Sequence, residues 1–166
     1  MSFNINSRGR RFAAISLFIL AAAIAVYAQA KPSVKVKLVG TVLRAGKEMT
    51  LAEAKSVRPG EILNWTLTSR NEGGAPALGY QTTAPMPAGT SYVEGSGSGE
   101  ESPQITFSIN GGRDFSARPM IEEKQADGSI KTVPAPVTLY THIRYLWNGP
   151  LASGSAVSAT YKVRVK

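Results

Sequence analysis

Few side chains in this chain could do chemistry, and their spacing gives little to build on. His142 is the only histidine and cysteine is absent. A zinc centre would need several nitrogen or sulfur ligands at workable spacing, and a Cys–His relay has no nucleophile. The acidic doublets Glu100-Glu101 and Glu122-Glu123 could serve glycoside hydrolysis only if the fold held two carboxylates across a cleft. Both read as loop or hairpin positions, where solvated charge is the default. Asp127 stands alone before Gly128, without the clustered oxygen donors that calcium takes. The glycine-rich stretches at 71–74, 95–99 and 111–112 open no helix, so they read as turns rather than phosphate cradles. Lys162 has no Asn or Asp beside it on the last strand for an internal isopeptide link. The reading is non-enzymatic, with no catalytic residue, no metal and no cofactor.

The elements that would position any site alternate with period two. Val34, Val36 and Leu38 interleave with Lys35 and Lys37, and Leu63, Trp65 and Leu67 with Asn64 and Thr66. Trp65 reads as a core anchor, since an aromatic supplies the largest single burial in a small sandwich. Leu78, Tyr80 and Thr82, then 90–94, then Ile105, Phe107 and Ile109 continue the rhythm. Gly40 suggests a bulge or bend, residues 47–57 a loop with at most a short strand or helical turn, and 95–101 a flexible tip. Asn110-Gly111-Gly112 marks a hairpin turn across which Phe115 should pair. Asp127-Gly128 marks a second hairpin at about 118–136, polar enough to project into solvent. Residues 138–147 read as a strand with Tyr140, His142 and Arg144 on its outer face, and 156–165 as the closing strand. Seven to eight short strands with almost no helical period predict an all-β, Greek-key sandwich.

Residues 1–30 read as a signal peptide. Arg8, Arg10 and Arg11 form a basic head, 12–28 is an uncharged apolar run, and Ala28-Gln29-Ala30 has the small-x-small pattern of a cleavage site. The run is short for a bilayer span, which takes about 20 residues, so cleavage is preferred to an uncleaved anchor. One domain, 31–166, remains. Of the 19 Lys and Arg, those three lie in the leader, leaving 16 against 11 Asp and Glu, a net of +5. The basic residues are dispersed and no nucleic-acid motif is present, so no nucleic-acid partner is expected. Membrane contact is expected only through the signal segment, should it stay uncleaved.

Several turn motifs, taken in order, carry a family resemblance. Arg58-Pro59-Gly60-Glu61 leads into Trp65-Thr66-Leu67-Thr68, and Asn71-Glu72-Gly73-Gly74-Ala75-Pro76-Ala77 follows. Pro85-Met86-Pro87-Ala88-Gly89-Thr90 comes next, and Leu151-Ala152-Ser153-Gly154-Ser155 precedes the last strand. Together they resemble the bacterial Ig-like envelope module known as domain of unknown function eleven, across most of 34–165. The chain departs from that module at Ala84, where an acidic residue is usual, and in the 118–136 hairpin, which is an insertion. The resemblance implies an Ig-like sandwich without catalytic residues, and a structural or protein-binding role in the envelope.

The expected compartment is the periplasm or cell surface of a Gram-negative bacterium, and the expected partner an envelope protein or surface polymer. Contact is expected through the inserted hairpin and its neighbours, Met120, Glu122, Lys124, Lys131, Tyr140, His142 and Arg144. The alternative is a small carbohydrate-binding or adhesin module, which gains if Tyr80, Tyr92 or Tyr140 is exposed and coplanar and loses if all are buried.

Overall fold

The two longest strands come from the cleanest alternation: β1 (Val34–Arg44) pairs antiparallel with β3 (Ile62–Asn71), Leu38 against Leu67 and Val42 against Leu63. The structure, a computed structural model, describes residues 30–166; the expected signal segment, apart from its last residue, lies outside the described residues. β2 (Lys47–Thr50) returns along the end of β1, and β11 (Ala156–Val165) lies on the far side of β3. The short strands β5 (Thr90–Tyr92) and β6 (Ser98–Gly99) both pair with β11. A second sheet contains β4 (Gln81–Pro85), β10 (His142–Leu146) and β7 (Gln104–Ser108) in that order. β8 (Met120–Lys124) and β9 (Ile130–Pro134) form a separate two-stranded hairpin.

The result is an all-β sandwich of antiparallel sheets. Its last strand lies between β3 and β5, so neighbours in space are distant in sequence. Eleven strands occur among the described residues, where seven to eight were expected. Seven make the two facing layers. The surplus is β2, β6 and the hairpin.

The core lies between the layers. Leu63, Leu67, Val157, Ala159, Tyr161 and Val163 point inward from the first sheet, and Ile143, Tyr145 and Trp147 from the β10 side. Each large apolar side chain withdrawn from water contributes about 1.5–3 kcal/mol. Two hydroxyls cross between layers: Tyr145 donates to the Thr160 carbonyl at 2.7 Å, and Tyr161 to that of Pro85 at 2.9 Å. Asn71, fully buried, makes four bonds. Its Oδ1 accepts from the N–H groups of Ser33 and Gly73, and its Nδ2 donates to the carbonyls of Ala75 and Leu151. That one amide fastens the start of β1 and the turn after β3 to the loop before β11.

Several expectations change. Gly40 is no bulge, because pairing runs unbroken through Gly40 opposite Trp65. A Cβ there would stand 2.7 Å from Leu51 Cδ1 and 3.0 Å from the Trp65 ring, so a larger residue would have to push those side chains aside. Leu51 comes from a one-turn helix (Leu51–Ala54) that Thr50 and Glu53 start with a capping box. Trp65 is only partly buried and the anchoring falls to Tyr145 and Tyr161, both 0% exposed. Leu78 sits exposed in a turn, and β4 starts only at Gln81. The stretch read as a flexible tip supplies β6. Arg44 grips Glu61 with two bonds of 2.8 and 2.9 Å, which, with the Arg58 N–H, brings the Glu61 carboxyl down to about 2.

Candidate functional site

A hollow of about 820 Å³ opens where the root of the hairpin meets the sandwich. Three elements build its floor. Tyr92 ends β5 of the first sheet, Phe107 lies in β7 of the second, and Tyr140 follows a short 3-10 helix (Val137–Leu139). Their rings form one group: Phe107 and Tyr140 stack at 4.7 Å, Tyr92 and Tyr140 at 5.9 Å, and Tyr92 tilts against Phe107 at 4.9 Å. Offset contacts at these distances are the favoured geometry for aromatic rings. Gly97 donates its N–H to the Tyr92 hydroxyl at 2.9 Å. A Cβ on Gly97 would meet that oxygen at 3.0 Å and Ile143 at 3.2 Å, so glycine gives this wall its tight closure.

Prolines shape the opposite wall. Pro134, Ala135 and Pro136 line the hollow, and the Ala135 N–H bonds the Pro119 carbonyl at 2.9 Å, closing the hairpin at its root. The residue before a proline is held extended, which keeps this crossing from coiling onto the groove. Glu94 and Arg118 place one charge of each sign along the lining. The Tyr140 hydroxyl is pushed above its ordinary pKa, first by burial and then by the nearby Glu94 carboxylate, with Arg118 opposing. An apolar floor with a few polar groups is the usual form of a binding cleft.

The sequence-derived contact residues divide among four places. Met120, Glu122 and Lys124 share one face of the hairpin, opposite Pro134, Thr132 and Ile130. Lys131 pairs with Glu123 and so belongs to the reverse face. His142 and Arg144 stand on the outer face of β10, away from its buried Ile143 and Tyr145. The Arg144 guanidinium lies 3.5 Å from the centre of the Phe115 ring, and His142 Nδ1 is 3.2 Å from Thr141 Oγ1. Tyr140, expected beside them, instead turns into the groove, because the strand begins only at His142. Phe115 does not pair across the Asn110–Gly112 turn. Ser116 bridges to Phe107 and frees the Phe115 ring for Arg144.

Of the three tyrosines weighed for carbohydrate contact, two are buried and one is not. Tyr80 is 9% exposed and stacks on Trp147 at 5.5 Å, Tyr92 is 5% exposed, and only Tyr140 is half-buried. Neither acidic doublet lines the groove. Glu100 uses a carboxylate oxygen to accept from the Ser158 N–H at 2.7 Å, whereas Glu122 and Glu123 alternate on opposite faces of β8. Among the described residues no group of three His, Asp or Glu side chains is gathered to hold a metal, and no helix is long and apolar enough to cross a membrane.

Phe107, Glu94 and Arg118 did not stand out in the sequence as site residues, and Tyr92 did so only in the carbohydrate-binding alternative. Alternation placed Phe107 on one face with Ile105 and Ile109, but nothing local shows that the layer above it stops short. The prolines at 119, 134 and 136, bracketing a polar hairpin, were the available signal. Comparison with protein-family models, with curated proteins and with solved structures finds no match for this chain.

Proposed function

We propose that this chain is an exported, non-enzymatic, Ig-like binding protein of the bacterial cell envelope, and that it takes a protein partner in the groove at the hairpin root. The observation that carries the reading is the groove itself: about 820 Å³ over three mutually stacked rings, walled by the only hairpin outside the two sheets among the described residues. The basic leader followed by an apolar run supports export, and the ordered turn motifs support kinship with the Ig-like envelope modules that the chain resembles. The groove lining offers Glu94, Arg118 and the Tyr140 hydroxyl, groups suited to orienting a bound segment, without a paired nucleophile and base.

Immobilised chain and a variant lacking residues 118–136 should be compared on solubilised envelopes, with circular dichroism to verify that both are folded. One envelope protein retained by the full chain, lost on the deletion and weakened by Tyr140→Ala, is the expected result. Equal retention by folded deletion and parent would contradict the proposal. Competition by a purified surface polysaccharide, without protein capture, would move the assignment to carbohydrate binding.

A further inference from the structure

The first sheet has an edge that its own strands leave open. β2 covers β1 only from Thr41 to Arg44, while β3 pairs with its other side from Val34 to Val42. Along residues 34–40, alternate N–H and C=O groups therefore face outward with no strand beside them among the described residues. The inward-facing side chains there are uncovered as well. Val36 and Leu38 share a face with buried Val42 yet are 52% and 39% exposed.

The other face carries unbalanced charge. Lys35 lies directly opposite Arg70 and Lys37 follows two residues on. Like charges paired across strands destabilise a sheet. No acidic side chain forms an ion pair with these three, since the ion pair found among the described residues joins Arg44 to Glu61. Lysines on an edge keep copies of a chain from pairing with one another. Antiparallel self-pairing centred on Val36 would set each Lys35 against the partner's Lys37. Residues 1–29 contain no Asp or Glu, so the leader cannot balance these charges either.

We propose that residues 34–40 accept an extended segment of a partner protein, in which apolar and acidic residues alternate, as an added strand of the first sheet. Its apolar side chains cover Val36 and Leu38. Its carboxylates face Lys35, Lys37 and Arg70, and the main-chain bonds of the open edge supply affinity, as in other cases of strand addition. Seven residues of edge span about 24 Å, enough for a full-length strand.

Two ten-residue probe peptides test this, one alternating valine with glutamate and the other valine with lysine. Each is titrated into the full chain while amide exchange is followed over residues 34–40. The glutamate peptide should bind, slow exchange at 34–40 and weaken as salt rises, whereas the lysine peptide should bind about tenfold less tightly. The double variant Lys35→Glu, Lys37→Glu should reverse that preference, and Leu38→Ser should weaken both peptides without reversing it. Equal affinity for both peptides, or unchanged exchange at 34–40, overturns the proposal. So does protection of 34–40 in a dimer of the chain without peptide, which would assign the edge to a second copy.

Discussion

Tyr145 and Tyr161 are wholly buried, and each donates its hydroxyl to a backbone carbonyl across the sandwich, whereas Tyr92, Phe107 and Tyr140 stack on one another and border open space. Both groups are aromatic and both join strands of different layers. They differ in what lies over them. The first pair is enclosed between β11 and β10, with the whole width of both sheets around it. The second group sits where β5 and β7 come to the side of their sheets and the hairpin root crosses over. An aromatic ring whose polar atom is satisfied inside the protein holds the fold together. A ring exposed along one side of a cluster is free to hold something else. Tyr92 belongs partly to each class, since it is buried with its hydroxyl accepting from Gly97 yet lines the groove.

Truncation should break the first group far more severely than the second. Tyr161→Ala removes a fully buried ring and should cost about 3–5 kcal/mol in urea denaturation. Tyr140→Ala loses stacking at a partly open position and should cost about 1–2 kcal/mol, with loss of partner capture as its main effect. Comparable destabilisation by the two would erase the distinction.

Removing hydroxyls alone sharpens it. Tyr145→Phe removes the hydroxyl bond to the Thr160 carbonyl and should cost about 1 kcal/mol. Tyr140→Phe, which breaks no hydrogen bond within the described residues, should stay within about 0.5 kcal/mol of the parent.

The smallest expected effect is on alkaline stability. Burial raises the ionisation of Tyr145 and Tyr161 well above the ordinary tyrosine value, more than for Tyr140. In the unfolded chain these groups ionise near pH 10. Their contribution is therefore complete below about pH 10 and is lost as pH rises beyond it. The double variant Tyr145→Phe, Tyr161→Phe should flatten the fall in melting temperature above pH 10, and Tyr140→Phe should leave it nearly unchanged.

Much of the fold was legible in the sequence because alternation reports directly which side chains share a face. β1, β3, β7 and β11 all follow it, and the 118–136 hairpin shows through its Asp127-Gly128 turn. Alternation does not report whether a second layer covers that face, and the readings of Trp65, Val36 and Leu38 fail for this cause. Trp65 has the spacing of a core anchor but is only partly covered, and Val36 and Leu38 alternate like core residues yet stay exposed. Tyr140 was placed with His142 and Arg144 because residues 138–147 alternate without a break. Pro136 and the turn after it start the strand late and rotate Tyr140 into the groove. Gly40 needed knowledge of Leu51, eleven residues further on and in a different element. The candidate site was visible only as a hairpin with unusual prolines, since its floor comes from three separate stretches of chain.

Photo-crosslinking in living cells tests the central claim most directly. Benzoylphenylalanine at position 117 or 136 would stand in the groove wall, and at position 153 would report an exposed loop outside it. Positions 117 and 136 should both join the same envelope protein, and position 153 should not. Silent groove positions, or the same adduct from all three, would contradict the assignment of the hairpin-root groove as the binding surface.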